Sequence, residues 1–324
     1  HIYMKAKNCL IFGGSGQIGR NLIRKFTKNN YRVTVVTRNV HQKSYIIKTQ
    51  ANAGYIEIVE ANIFEENKIR DLFKNADVCI NLIGILFEKK ANSFRNIHSI
   101  FPSILAKLSK EYNLKHFVHL SALGINDAID SNYAKSKLEG ENRVLKNFPL
   151  ATILRPSIVY SVDDNFTTNF MTLLSRLPVI PLYYNGQTKF RPIHVSDLTN
   201  ILHELLNENF NNLTVECVGP QTLNFKEILT ILLKLIDKKR LLIPLPLNLA
   251  KLSAKFLQIF PKPILTEDQL KLLKYDNIET NNYKTNIDLG LEAKKLFENE
   301  VSKYSYNWMS GGQFSKKNKV VDLN

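Results

Sequence analysis

Three groups of residues in this chain have the types and spacing to do chemistry together. Gly13, Gly16 and Gly19 recur at three-residue intervals in GGSGQIG, Arg38 closes a second apolar run, and Tyr133 and Lys137 lie four apart in YAKSK, twelve residues beyond Ser121. The glycines suit a phosphate-binding turn. Gly13 allows the tight turn, Gly16 lets backbone amides approach a pyrophosphate, and Gly19 lets a helix pack closely on a strand. The helix opening there directs its amide-rich, positive end at the phosphates. Gly14, Ser15, Gln17, Ile18 and Arg20 complete the loop and first helical turn and belong to the same binding set.

About twenty residues beyond such glycines the chain meets an adenosine ribose, where an acid would bond the 2′-hydroxyl of NAD and an arginine would accept the 2′-phosphate of NADP. This chain has Thr37-Arg38-Asn39 and no acid, which favours NADP(H) over NAD(H), with Arg20 as a second charge-assisted contact. The alternative is that Arg38 is solvated surface. Tyr133 and Lys137, one helical turn apart, share a face on which the ammonium can lower the phenol's pKa. A hydroxyl at Ser121 could then hold a carbonyl while Tyr133 moves a proton. Placed after the fifth strand of a dinucleotide fold, Tyr133 and Lys137 are expected to take a cofactor or catalytic role.

The elements that must position these groups follow from apolar patterning. Leu10 to Phe12 reads as a buried strand, followed by strands at Tyr31 to Thr37, Ile56 to Val59, Val78 to Ile85, Phe117 to Leu120 and Ala151 to Tyr160. Helices are expected through Leu22, Ile23 and Phe26, at Ile69 to Phe73, and from Pro102 to Tyr112 after a polar loop over 88–98. Asn62 falls where adenine would lie. Asn81 and Gly84 sit near a strand's carboxyl end, where open parallel sheets bind ligands, although an asparagine there is equally a turn former. Alternating strands and helices predict an α/β chain: a Rossmann-type doubly wound parallel sheet with right-handed crossovers and a smaller C-terminal α/β domain. The dinucleotide domain is placed at 4–160 with 193–218 returning to it, the smaller domain at 161–192 and 219–300, and a tail at 301–324.

Together GGSGQIG, LSALG, YAKSK and RPIHVSDL resemble the extended short-chain dehydrogenases/reductases, NAD-dependent epimerase/dehydratase-like. NLIG, ILRPSIVY, PLPLNLAKL and ILTEDQLKLLKYDNI resemble one atypical branch, which contains the nucleotide-binding accessory subunit of respiratory complex I. The resemblance spans about Lys7 to Leu296. It implies a pyrophosphate on Gly13, Gly16 and Gly19, a 2′-phosphate on Arg38, and an active-site pair at Tyr133 and Lys137. It also implies a membrane complex as partner, with a cofactor that need not turn over. In extended members the catalytic hydroxyl can fall slightly beyond the first serine, where this chain has Leu123, and Asn62 replaces the aspartate common beside adenine. Two functions stay open: an NADP(H)-holding accessory protein, or an NADP(H)-dependent reductase or epimerase of a small carbonyl, sugar-nucleotide or quinone-related substrate.

The formal charge of +15, from 44 Lys and Arg against 29 Asp and Glu, favours an anionic partner. The lysines are scattered and no nucleic-acid-binding signature is present, so nucleic acid is not expected as a partner. Cys9, Cys79 and Cys217 lie in apolar runs without metal-ligand spacing, and the seven histidines form no His-x-x-x-His pair; buried thiols in a reducing compartment are expected, and no metal. His1 to Tyr3 precede Met4, and a fold beginning near Lys7 leaves no room there for a signal peptide. The expected location is cytoplasmic, with a peripheral place on the inner face of the inner membrane allowed.

His194 reads as a buried packing residue, and Asp197 starts a helix capped by Ser196. Another helix is expected over Leu223 to Ile236. From Leu247 to Phe260, Leu249, Leu252, Phe256 and Phe260 share one helical face, opposite Asn248, Lys251, Lys255 and Gln258. The stretch is too interrupted to span a bilayer. It suits an acidic membrane surface or a partner, but packing on its own domain is the ordinary fate and the expectation. Thr266 and Gln269 form a capping pair, and the polar residues past Leu296, with Trp308 the single tryptophan, read as mobile or bound elsewhere.

Overall fold

The computed structural model describes residues 5–207, 210–261, 263 and 265–312. Strands β1 (Lys7–Phe12), β2 (Tyr31–Thr37), β3 (Ile56–Glu60), β4 (Val78–Asn81), β5 (His116–Leu120) and β6 (Thr152–Pro156) alternate with helices α1 (Gln17–Thr27), α2 (Val40–Lys48), α3 (Glu66–Leu72), α4 (Phe101–Glu111) and α5 (Asn132–Asn147). After β7 (Val159–Tyr160) come α6 (Thr167–Arg176), β8 (Val179–Leu182), β9 (Lys189–Phe190), β10 (Ile193–His194) and α7 (Val195–Asn207). Then follow β11 (Thr214–Cys217), β12 (Leu223–Asn224), α8 (Phe225–Leu235), β13 (Leu241–Pro244), α9 (Leu247–Leu257), α10 (Glu267–Leu272), β14 (Lys284–Thr285) and α11 (Phe297–Ser302).

Eight strands form one sheet in the order β14-β11-β6-β5-β4-β1-β2-β3, with every neighbouring pair parallel. The order reverses between β1 and β4, and a parallel sheet opens a crevice at such a point, beyond its carboxyl ends. β1 shows why its apolar run is unbroken: Cys9 and Ile11 enter the core beneath α1 and α7, while Leu10 and Phe12 enter the core beneath α3 and α4. A further core gathers Met171, Leu174, Ile228, Leu232, Phe297 and Trp308 from α6, α8, α11 and the turn after it.

Several elements differ from what the sequence pattern predicts. β4 stops at Asn81 rather than Ile85 because the Asn81 side chain accepts the Ile83 amide at 3.2 Å and turns the chain. The long sixth strand breaks into β6 and β7. The loop over 88–98 is partly helical: a π turn over Arg95–Ile100 runs into α4. Pro102 lacks an N–H, and its ring would clash with the carbonyl four residues back. The wider turn, closed by the Phe101 amide on the Asn96 carbonyl, accommodates it. α7 starts at Val195, and His194 rather than Ser196 serves its N-terminus, with Nδ1 accepting the Ser196 amide at 3.2 Å. Residues 297–312 are no loose tail. Trp308 is buried and donates from Nε1 to Thr172 Oγ1 at 2.9 Å, and Tyr304 and Thr167 share a hydroxyl hydrogen bond at 2.8 Å. The rest of that predicted tail lies outside the described residues.

Candidate functional site

Gly13 carries φ +90°, and a Cβ there would press on the Leu82 and Ile83 backbone at 3.1–3.2 Å. A Cβ on Gly14 would meet Val35 Cγ1 at 2.5 Å, and one on Gly19 would meet the Gly13 carbonyl oxygen and Gly14 Cα at 2.5 Å, so helix and turn touch backbone to backbone. Gly16 is the contrast. It is exposed, and its Cβ would find nothing nearer than the Gly13 oxygen at 4.0 Å. As N-cap of α1, Gly16 offers no side-chain acceptor, and the first turn holds no acid. The leading amides of α1 are thus left for an anion, which is what a pyrophosphate requires. Ser15 is half-buried in the same turn.

Other members of the predicted set serve the fold. Gln17 donates to the Val159 carbonyl at 3.1 Å and accepts from Ser161 Oγ at 2.7 Å, tying α1 to β7, and Ile18 packs on the core beneath α1. Arg20 departs from its expected place: its guanidinium lies 3.7 Å from Asp163, on the side of α1 facing the turn after β7. Arg38 is exposed in the bend after β2. Asn62 is exposed too, with Oδ1 accepting the Phe64 amide at 3.0 Å to make a tight turn before α3. Asn81 is fully buried, so it cannot line the crevice; it forms the turn and its amide donates to His119 Nδ1 at 3.2 Å. Gly84 is exposed above Lys137, whose Nζ a Cβ there would meet at 3.9 Å.

Tyr133 and Lys137 lie on α5, which Ser131 caps by accepting the Ala134 amide at 3.2 Å. Lys137 is buried and donates from Nζ to the Leu120 carbonyl at 3.0 Å; burial, partly offset by Glu141, brings its pKa down to about 8. The expected lowering of the Tyr133 phenol does not occur. Burial pushes its pKa up to about 12, and its ring stands at right angles to those of Phe94 at 5.9 Å and His98 at 5.2 Å, which stack on each other. Ser121, at the end of β5, is buried. Its Oγ lies beside the Glu141 carboxylate, whose pKa burial raises against the opposing pull of Arg155 and Ser121, and makes no hydrogen bond of ordinary geometry. Leu123, where extended members can carry the hydroxyl, is buried, and its carbonyl accepts from Asn277 Nδ2 at 3.1 Å.

Several residues around this site were not anticipated from the sequence. Glu141, one turn beyond Lys137, grips Arg155 with Oε1–Nε 2.9 Å and Oε2–Nη2 3.1 Å, both side chains almost wholly buried. Its spacing of four from Lys137 was the available signal. His98 has one consistent tautomer. Ser136 Oγ donates to the Tyr133 carbonyl at 2.7 Å, so His98 Nδ1 donates to Ser136 at 2.9 Å, and Nε2 accepts the Ile85 amide at 3.0 Å. Burial, with Lys137 nearby, pushes its pKa down to about 3, and His119 is likewise held well below the ordinary value.

Both imidazoles stay neutral in the fold, whereas in the unfolded chain they protonate near pH 6.5. Stability is therefore expected to be intact above pH 6.5 and to fall as pH drops from there toward 3, each histidine adding up to about 1.4 kcal/mol per pH unit. Urea midpoints between pH 7 and 4.5 measure this. His98→Gln should remove its share of the slope, and an unchanged slope would refute the assignment.

Asp268, in the first turn of α10, accepts from Ser131 Oγ at 2.8 Å and from the amides of Asn132 and Tyr133, the last at 3.0 Å. The Thr266–Gln269 capping box that starts α10 is present as the sequence suggested. Beyond it, Leu272 and Tyr275 pack on Ile125, Ala128 and Ala134, and Ser157 Oγ donates to Asn277 at 2.8 Å. The 266–277 stretch is thereby fastened across the carboxyl ends of β5 and β6.

α9 corrects the expectation of self-packing. It rests on the fold through Ala250 and Ala254, whose neighbours are Leu265 and Leu270. Leu252 (64% exposed), Phe256 (63%), Ile259 (76%), Leu249 and Phe260 face outward. Small residues make the inner face because a helix seated on so small a cluster must approach closely. Among the described residues no helix is long and apolar enough to cross a membrane, and no group of three or more His, Cys, Asp or Glu is arranged to hold a metal ion. The three cysteines are buried free thiols.

The profile of the NAD dependent epimerase/dehydratase family matches residues 9–217. The chain is 26% identical over 318 residues to the NADH-ubiquinone oxidoreductase 40 kDa subunit of Neurospora crassa, covering 97% of this chain and 80% of that one. It is also 26% identical over 298 residues to the NADH dehydrogenase [ubiquinone] 1 alpha subcomplex subunit 9 of Arabidopsis thaliana, covering 88% and 74%. In fold it is similar to the dTDP-glucose 4,6-dehydratase DesIV of Streptomyces venezuelae, solved with NAD and TYD bound, at TM-score 0.72 and 15% identity over 96% of this chain and 99% of that one.

Proposed function

The chain belongs to the NAD dependent epimerase/dehydratase family, and on that premise we propose that it is an NADP(H)-holding accessory protein, peripheral to a membrane complex, in which the cofactor is structural. The observation that carries this reading is the state of the would-be active site. Ser121 Oγ is buried beside Glu141, the Leu123 carbonyl is held by Asn277, and Tyr133 stands at right angles to the stacked rings of Phe94 and His98 with its phenol pKa raised to about 12. A group so weakly acidic is a poor proton donor near neutral pH. A dinucleotide bound there stabilises the folded state by mass action without reacting.

The uncapped amides of α1 would hold the pyrophosphate, Arg38 the 2′-phosphate, and Lys137 the nicotinamide ribose. The named complex-I-type relatives, alike over most of both chains, support the partner class. The outward apolar face of α9, with Lys251 and Lys255 and no acid on the helix, suits an anionic bilayer beside that partner.

The test is to denature the purified protein, identify the nucleotide released, and titrate stripped protein with NADPH and NADH. Stoichiometric, slowly exchanging NADP(H) is expected. Losing a charge-assisted contact costs about 1.5–3 kcal/mol, so Arg38→Ala should weaken NADPH roughly 10- to 100-fold and leave NADH nearly unchanged. Equal loss for both cofactors, or none, would remove the NADP preference.

A second reading is favoured by Tyr133 and Lys137 standing one turn apart at the end of β5: an NADP(H)-dependent reductase or epimerase. The cofactor would supply a hydride at nicotinamide C4, with Tyr133 giving the proton and Lys137 holding the ribose. Steady oxidation of NADPH by a carbonyl compound, abolished in Tyr133→Phe, would select this reading over the first.

A further inference from the structure

The outward face of α9 and the helix that carries Tyr133 are joined by a short run of contacts. α9 sits on Leu265 and Leu270 through Ala250 and Ala254, in a cluster of only four buried residues. Its C-cap residue, Gln258, accepts the Glu267 amide at 3.1 Å, which pins α9 to the start of α10. One residue on, the Asp268 carboxylate takes three hydrogen bonds from the first turn of α5: Ser131 Oγ, the Asn132 amide and the Tyr133 amide. A carboxylate at a helix N-terminus satisfies orphan amides and opposes the positive end of the helix dipole. Leu272 and Tyr275 then anchor the same segment on Ala128 and Ala134. One side of this path ends on an exposed apolar helix and the other on Tyr133 and Lys137.

We infer that α9 and α10 form a linkage element, through which attachment of α9 to an anionic bilayer and occupancy of the dinucleotide site at α5 reinforce each other by way of the Asp268 cap. The inference rests on the proposed reading of α9 as the membrane-facing helix and of α5 as part of the dinucleotide site. The bilayer is the occupant chosen because Leu249, Leu252, Phe256, Ile259 and Phe260 are exposed together, Lys251 and Lys255 are exposed beside them, and the helix has no acid to repel anionic headgroups. Lys238, Lys239 and Arg240 precede β13, whose Leu241 and Ile243 are exposed as well.

Two states are coupled. With α10 seated, the turn of α5 that carries Tyr133 is capped, and α9 has its alanine foothold. With α10 lifted, the start of α5 loses the three hydrogen bonds it gives to the Asp268 carboxylate and α9 loses its support, which matters because a helix of eleven residues is marginal alone. Dinucleotide and bilayer both select the seated state, so each must tighten the other by the same factor. A satellite cluster this small belongs to the least stable part of a fold, where such an equilibrium is accessible.

The experiment measures binding of the full chain to phosphatidylglycerol-containing vesicles by co-sedimentation, with and without saturating NADPH, and NADPH affinity with and without those vesicles. About a fivefold mutual tightening is expected, at the lower end of ordinary coupling factors. Asp268→Asn should bind each ligand but lose the mutual effect, with its melting curve checking that it is folded. Leu252→Ser/Phe256→Ser should lose vesicle binding while keeping its vesicle-free NADPH affinity. Wild-type reciprocity tests the inference without any variant. If the protein binds both vesicles and NADPH and neither alters the other, the linkage is wrong and the functional reading stands. If it does not bind vesicles at all, the membrane-facing role of α9 fails and the linkage fails with it.

Discussion

Gly140→Ala is expected to destabilise this protein by about 3 kcal/mol or more, at the upper end of what overpacking costs. The added Cβ would lie 1.8 Å from the His98 carbonyl oxygen and 2.9 Å from its carbon. Both are backbone atoms, so no side chain can swing aside. Gly140 is where α5 crosses the π turn that Pro102 imposes ahead of α4, and relief requires the two to separate. Lys137 and Glu141 would travel with α5, so NADPH affinity should fall more than stability alone explains. Urea unfolding and NADPH titration measure the two effects. Gly54→Ala is the control, because a Cβ there meets nothing within 4 Å and a slight gain in stability is expected. Equal behaviour of the two variants would show that the close crossing does not limit the fold.

The second large effect lies one residue away. Glu141 and Arg155 are both within a few percent of complete burial, and Arg155 also covers the Tyr283 ring at 4.6 Å from its centroid. Removing one charge of such a pair strands the other in a poorly solvated interior, at a cost of about 3–5 kcal/mol, whereas replacing both by apolar groups is often neutral. Glu141→Ala is therefore expected to lose about 3–5 kcal/mol. The double variant Glu141→Leu/Arg155→Met should lie closer to wild type than either single change, a non-additivity that a double-mutant cycle on denaturation free energies reads directly. Additive losses would mean that the pair acts through shape and not through charge. Glu141→Ala should also lower the Lys137 pKa below about 8, since Glu141 is what raises it.

These two residues mark the limit of what the sequence could disclose. The sheet was legible because its strands are buried on both faces and read as apolar runs. The glycine turn was legible because each glycine answers a local steric demand, visible now in the close approaches at Gly13, Gly14 and Gly19. Strand ends were less so. Asn81 ends β4 through a side-chain hydrogen bond, and Pro102 reshapes a helix start that composition alone suggested was a loop.

The site was legible in membership and poorly so in posture. Tyr133 and Lys137 share a helix face as their spacing requires, but the direction of the Tyr133 pKa depends on Phe94, His98 and burial, all set by long-range packing. The orientation of Ser121 likewise depends on Glu141. Asp268 reaches α5 across more than 130 residues, and no local pattern signals such a contact. α9 misled for a simpler reason. Amphipathic periodicity names two faces but does not say which is inward, and here Ala250 and Ala254, with Leu257 at their end, make the face against α10 while Leu249 and Leu252 turn outward.

Trp308, the single tryptophan of the chain, is buried with Phe297, Tyr304 and Ile228 in the core that α6, α8 and α11 share. Its indole N–H is bound to Thr172 and it takes no part in the cores flanking the eight-stranded sheet. The protein thus carries an optical reporter confined to one region. Red-shifting indole emission records the opening of the C-terminal core alone, while far-ultraviolet dichroism follows the sheet and helices together. Comparing the two during unfolding tells whether the chain melts as one cooperative body or as two.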